Sequence, residues 1–141
     1  MKVRLMSIAT VAATAATVFM GSWAIGGAAG QAPPVKHCGS ACAERVRAKA
    51  LERHYQRVWS SAPAAMRAHL RRIAQCESTN NHRAVSANGL YRGLLQFDFT
   101  TWGSVGGRGD PAAATRWEQW ARGVRLYRSR GAQPWPVCKN R

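Results

Sequence analysis

Three observations predict a mainly α-helical chain, α+β only through one short hairpin-like excursion. Apolar residues recur at helical spacing in three stretches: Leu51, Tyr55 and Val58; Met66, Leu70 and Ile73; and Trp117, Trp120, Ala121, Val124 and Tyr127. Residues that start or stop helices stand at the edges of these stretches, among them Ser60-Ser61-Ala62-Pro63, the pair Thr115 and Glu118, and Gly131. Between the second and third stretches, Asn88-Gly89 is the strongest turn signal in the chain.

The first thirty residues have a different character. Lys2 and Arg4 precede an uncharged run from Leu5 to Met20, and small residues from Gly26 to Gly30 provide a cleavage region, for example after Ala29. Residues 1–29 read as a secretory signal peptide. The alternative is a retained anchor: Leu5 to Ile25 is long enough to span a bilayer, but its Ala, Thr and Gly content makes it weakly apolar. Gln31 to His37, with Pro33 and Pro34, reads as an extended linker. From about Ala41 to Trp59 the pattern is that of a basic amphipathic helix, with Arg45, Arg47, Lys49, Arg53 and Arg57 around the apolar face. Such a helix can dock on the following domain, lie along an anionic wall, or act as a spacer. Residues 30–61 are therefore assigned to linker and basic helix, and 62–141 to the domain.

Within that domain a helix is expected from about Pro63 to Ser78, with hydroxyls before the proline for capping. Thr79 to Ala87 form a polar loop that Asn88-Gly89 reverses, and Leu94 to Phe97 return as a short buried strand or extended segment. Phe99 to Ser104 make a short helix carrying Trp102, stopped by Gly106-Gly107. Asp110-Pro111 caps another turn, and the last helix runs from about Arg116 to Arg130. Pro134 to Cys138 read as a stiff extended tail laid back on the domain.

The whole chain carries 21 Lys and Arg against 6 Asp and Glu, and loss of Lys2 and Arg4 with the signal leaves +13. That charge fits an anionic neighbourhood, such as acidic cell-wall polymers outside the cell or nucleic acid inside it, or simply a solvated surface. All four cysteines lie beyond the cleavage point, so an oxidising space makes disulfides the default. Three pairings are possible. Cys76 with Cys138 would close a long loop worth about 3 to 4 kcal/mol, and the four-residue spacing of Cys38 and Cys42 would allow a local bridge. His37, Cys38 and Cys42 make a poor zinc signature, and neither metal nor cofactor is expected. The scattered histidines form no nucleophile triad, Ser78 lacks a strand-turn-helix elbow, and no phosphate-binding glycine motif occurs.

Acids are scarce. Glu44 and Glu52 belong to the basic helix, and Asp110 and Glu118 are accounted for by capping. Glu77 continues the stripe of Met66, Leu70 and Ile73, so desolvation and the negative end of the helix dipole both favour its protonated form, the state a general acid needs. The alternative is a last-turn glutamate turned to solvent. Asp98 is either a second carboxylate at a sugar linkage or the cap of the Trp102 helix. Around Glu77, Asn80, Asn81, Ser86, Asn88 and Gln96 offer amides and a hydroxyl suited to sugars, and Tyr91, Trp102 or Trp135 offer aromatic faces.

The runs Ile73-Ala74-Gln75-Cys76-Glu77-Ser78, Asn88-Gly89-Leu90-Tyr91, Leu95-Gln96-Phe97, Thr101-Trp102, Gly106-Gly107, Pro111-Ala112, Glu118-Gln119 and Trp135-Pro136-Val137-Cys138 resemble the resuscitation-promoting factors of actinobacteria. The resemblance covers roughly Leu70 to Cys138 and omits the basic helix. It implies a small lysozyme-like, transglycosylase-like domain, secreted or wall-associated, that cleaves the β-1,4 linkage between N-acetylmuramic acid and N-acetylglucosamine. The family's catalytic glutamate falls on Glu77, its disulfide on Cys76 with Cys138, its substrate-contacting threonine on Ser86 and its glutamine on Gln96. Asn88, Tyr91 and Trp102 complete the expected substrate contacts. Expected partners are peptidoglycan strands and anionic wall polymers, with no specific nucleic acid, no stable membrane insertion after signal cleavage, and a monomeric state.

Two departures from the family pattern bear on the site. Thr79-Asn80-Asn81-His82 stands where the family has Gly-Gly-Asn-Trp, which removes an aromatic ring beside the cleft but leaves Asn80 able to take a left-handed conformation. Leu94 stands where a second glycine is common. These changes motivate an alternative function, a low-turnover wall-binding or signalling protein with a lysozyme-like cleft. A cationic protein acting on membranes or nucleic acid through charge alone ranks third.

Overall fold

The computed structural model describes residues 39–141, so the expected signal peptide, the linker and the Cys38 half of a local bridge lie outside the described residues. Four α-helices and one 3₁₀ turn follow in order: α1 Ser40–Ser60, α2 Ala64–Ser78, α3 Phe99–Ser104, the turn Pro111–Ala113, and α4 Arg116–Arg130. The capping chemistry explains three of these starts. Asp98 accepts the Thr101 N–H, Asp110 accepts the Ala112 N–H, and Thr115 accepts the Glu118 N–H. Gly131, at φ +57°, ends α4.

The start of α2 differs from expectation. The Ser60 and Ser61 hydroxyls donate back to Gln56 O and Val58 O, so they close α1 rather than open α2. Pro63 takes the cap position without a side-chain bond, and Arg67 reaches back to Ala62 O at 3.1 Å.

The core is a single apolar cluster. Leu70, Ile73 and Ala74 of α2 pack with Trp120, Val124 and Leu126 of α4, and Leu94, Leu95, Phe97, Trp102, Trp135 and Cys138 fill the remainder. α4 comes close to the loop at Gly123, where a Cβ would lie 2.3 Å from Leu95 Cδ1.

Leu94 to Phe97 do not form a strand. Arg92 makes isolated antiparallel bridges to Val85 and Phe97, and Gly93 to Gln96 form the tight turn between them. A strand would alternate its side chains in and out, whereas Leu94 and Leu95 are both buried, and a turn can bury neighbours together. The turn requires positive φ at Gly93 (+81°) and Gln96 (+48°). Gly93 also makes room for Gln119, whose Oε1 would lie 2.3 Å from a Cβ there.

Of the three fates open to the basic helix, docking is the one observed, through its C-terminal half. Tyr55 and Trp59 are buried, with the Trp59 ring 4.5 Å from that of Trp120. Burial of these two rings stabilises the docking by roughly 2 to 3 kcal/mol apiece. The Tyr55 hydroxyl donates to Glu118 Oε1 at 2.9 Å, and Arg122 donates to both groups. The Thr115 hydroxyl donates to Glu52 Oε2 at 2.8 Å, a further polar tie between α1 and the start of α4. Leu51, expected on the docked face, is 50% exposed. Among the described residues no helix is long and apolar enough to cross a membrane.

Candidate functional site

The end of α2 is fixed by three local devices. Ser78 is buried and donates its hydroxyl to Ala74 O and to Leu94 O, tying the helix end to the Leu94 turn. Thr79 and Asn80 then take left-handed conformations at φ +52° and +62°, with their N–H groups on Gln75 O and Ala74 O. Asn80 thus adopts the conformation expected of it, and Thr79, β-branched, carries the strain. The third device is the disulfide between Cys76 and Cys138, with Cα atoms 5.8 Å apart, which pins the C-terminal segment beside Glu77.

That segment is made of turns rather than being extended. Lys139 N–H donates to Trp135 O, and the buried Trp135 donates its indole N–H to Leu95 O at 2.8 Å. It still lies back on the domain, held at Trp135 and at the bridge. Its residues wall one side of an open cleft of about 390 Å³, lined by Cys76, Glu77, Tyr91, Gln96, Pro134, Trp135, Pro136, Val137 and Cys138. A smaller adjoining cavity of about 120 Å³ shares Tyr91, Gln96, Pro134 and Trp135 and adds Asp98, Thr101 and Arg130.

Glu77 is half-buried on the wall of this cleft and makes no hydrogen bond or ion pair among the described residues. Burial pushes its carboxyl above the ordinary value. Asp98 goes the other way. Desolvation raises it, but the hydrogen bonds it accepts from the side chain and backbone of Thr101 and the backbone of Thr100 outweigh that and hold it low. Asp98 is therefore an ionised cap at the edge of the smaller cavity, and Glu77 is the one acid on the larger. A carboxyl with a raised pKa in a groove can give a proton to a bound group and take one back.

Of the residues expected around Glu77, the fold brings Tyr91, Gln96 and Trp135 to the cleft. Tyr91 is 47% exposed, and the Gln96 amide nitrogen donates to Gly93 O at 2.9 Å. Ser86 and Asn88 do not line it. The Ser86 hydroxyl donates to Asn88 Oδ1 and accepts the Tyr91 N–H, and Asn88 Oδ1 also accepts the Leu90 N–H, so their polar atoms set the bend that presents Tyr91. Trp102 is a correction: at 1% exposure it packs edge-on against Phe97 and over Gly107, a core residue with no face to offer a sugar. The C-terminal wall also carries Pro134, Pro136 and Val137, the last largely exposed. The pairing of Cys76 with Cys138 was the signal that could place them.

The largest omission is Gln119. Fully buried, it accepts the Leu94 N–H at 2.7 Å and donates to His82 O, Pro111 O and Ala114 O, joining the loop after Glu77 to the start of α4. A glutamine on a helix reads as a solvent-facing residue, and nothing in its spacing marks it as the hub of a loop.

The sequence profile of the transglycosylase-like domain matches residues 64–138. This chain belongs to the transglycosylase-like domain family. Resuscitation-promoting factor RpfC of Mycobacterium tuberculosis is 47% identical over 66 residues, which is 47% of this chain and 46% of that protein. Resuscitation-promoting factor Rpf1 of Corynebacterium glutamicum is 40% identical over 81 residues, 55% of this chain and 42% of the relative. Resuscitation-promoting factor Rpf of Micrococcus luteus is 37% identical over 70 residues, 50% of this chain and 31% of the relative. The chain therefore spans less than half the length of these relatives. Within it, the transglycosylase-like domain begins at α2, so Tyr55 and Trp59 come from a helix outside the matched region.

Proposed function

We propose that this protein is an exported muralytic enzyme, a glycosidase or lytic transglycosylase acting on the β-1,4 linkage between N-acetylmuramic acid and N-acetylglucosamine, with Glu77 as general acid and base. The observation that carries the reading is one carboxyl, half-buried and without a partner, on the wall of an open cleft in a transglycosylase-like domain. Protonated Glu77 gives its proton to the glycosidic oxygen as the bond to the anomeric carbon breaks, leaving an oxocarbenium-like centre and a carboxylate. The carboxylate then takes a proton from the acceptor as that acceptor's oxygen closes on the anomeric carbon. A water acceptor gives hydrolysis, and the sugar's own 6-hydroxyl gives an anhydro end. Glu77 being the only acid on the larger cavity supports a mechanism without a carboxylate nucleophile.

Tyr91 and Gln96 contact the strand in this reading, and Ser86 and Asn88 hold Tyr91 in position. The protein works as a monomer in or near the wall, where its positive charge favours acidic polymers. Mass spectrometry of material released from purified sacculi tests the reading. Anhydro or reducing-end fragments from the parent and none from Glu77→Gln support it. Undiminished release by Glu77→Gln removes it, and binding to sacculi with no release by either protein supports the low-turnover alternative.

A further inference from the structure

A second cavity of about 390 Å³ opens where α1, α2 and α4 meet, and it shares no lining residue with the Glu77 cleft. Trp59 of α1, Arg71 of α2, Asn80 of the following loop, and Arg116, Trp117 and Trp120 of α4 line it. Trp59 and Trp120 are buried and form the floor, Trp117 is half-buried, and both arginines are exposed at the rim. The Arg71 guanidinium sits 5.5 Å from the Trp59 ring centre, which holds the charged head over the aromatic floor. Arg116 is anchored by one nitrogen, Nη2, donating to Asn80 O at 3.1 Å.

Neither guanidinium meets a carboxylate. Among the described residues the two ion pairs use Asp110 and Glu118, and Glu52 is engaged by the Thr115 hydroxyl. The cavity therefore presents two guanidinium groups that meet no carboxylate, beside the half-buried indole of Trp117. An indole suits the apolar face of a pyranose, and paired guanidiniums suit a carboxylate or phosphate on it.

The geometry points to an accessory site for an acidic saccharide between α1 and the transglycosylase-like domain, completed by α1 through Trp59. It rests on the wall-directed reading above for the source of its ligand, and not on the chemistry assigned to Glu77. Asn80 is three residues from Glu77, at most roughly 11 Å along the chain, so a ligand here lies close to the cleft. The acidic group can come from the peptide stem of the strand being processed or from a separate uronic-acid polymer.

Calorimetric titration of the full chain with four probes decides the matter: a purified disaccharide-peptide from sacculi, a uronic-acid oligosaccharide, a short oligonucleotide, and neutral chitotetraose as reference. The paired substitution Arg71→Gln with Arg116→Gln is expected to weaken at least one acidic probe by roughly tenfold or more while sparing chitotetraose. Arg47→Gln with Arg53→Gln removes the same charge from exposed positions on α1 and is expected to change affinity by about twofold at most. Loss confined to the disaccharide-peptide assigns the site to stem carboxylates, and loss confined to the uronic oligosaccharide assigns it to a separate polymer. Equal affinities in parent and paired variant, equal losses in the control pair, or tighter binding of a short oligonucleotide than of either saccharide overturns the proposal. Repeating the titrations with Glu77→Gln separates the two readings, because acidic-probe binding is expected to survive there whether or not cleavage depends on Glu77.

Discussion

Glu77 and Glu118 are the same residue type in partly buried positions, and they differ in company. Glu118 accepts a hydrogen bond from Tyr55 and pairs with Arg122, and its side chain is 20% exposed. Glu77 has a cleft on one side, the core on the other, and no partner among the described residues. The Glu118 side chain is matched by a cation and a phenol. Burial, and next the bond to Glu118, raise the Tyr55 pKa and keep it the donor. Around Glu77 no partner among the described residues stabilises the anion, and burial raises its pKa. One carboxylate therefore ties α1 to α4, while the other stands without a partner on the wall of a cleft.

The disulfide is the largest lever on this contrast. Replacing Cys76 and Cys138 together by alanine is expected to cost about 4 kcal/mol in a denaturant titration, because the bridge spans 62 residues. It also frees the segment that walls the cleft, and the Glu77 carboxyl, followed by NMR, is expected to titrate closer to its ordinary value. Next, Glu77→Gln is expected to lower product release from sacculi by at least roughly a hundredfold with the fold intact, whereas Glu118→Gln leaves release within a few-fold of the parent. Should the two variants lose activity alike, the distinction between them fails.

Stability reverses the order. Glu118→Ala strands Arg122 and the Tyr55 hydroxyl and is expected to cost about 1 to 3 kcal/mol. Tyr55→Phe removes one hydrogen bond and is expected to cost about 1 kcal/mol, both read from urea midpoints at constant slope. The smallest effect is the pH dependence. Burial raises the folded-state pKa of Glu77 above its ordinary 4.5, so the stability it contributes as a protonated acid is fully present below 4.5 and is lost as pH rises through the raised value. Glu77→Gln, always neutral, is expected to have the higher melting midpoint at neutral pH, with the difference closing well below 4.5. Cleavage by the parent is expected to decline as pH rises through the same raised value.

The helices were legible because each carried local chemistry with a local answer. Asp98, Thr115 and Gly131 bound α3 and α4 where their capping roles place them. The turn at Leu94-Leu95 was not legible, since two adjacent leucines fit a strand or a turn, and Gly93 facing Gln119 decided between them. Trp102 was misread for a similar reason: an aromatic ring looks alike in a sequence whether it faces a cleft or fills a core. Glu77, Tyr91, Gln96 and Trp135 line one cleft, and the wall that Pro136 and Val137 add to it depends on where the bridged chain end returns.

The sequence by itself determined where helices begin and end and which acid closes an apolar stripe, since both follow from contacts within a few residues of one another. Tertiary structure alone decided that α1 docks through Tyr55 and Trp59, that Gln119 ties the loops together, and which aromatic rings remain accessible. Those outcomes depend on groups tens of residues apart competing for the same small core, and spacing along a chain carries no record of which of them wins.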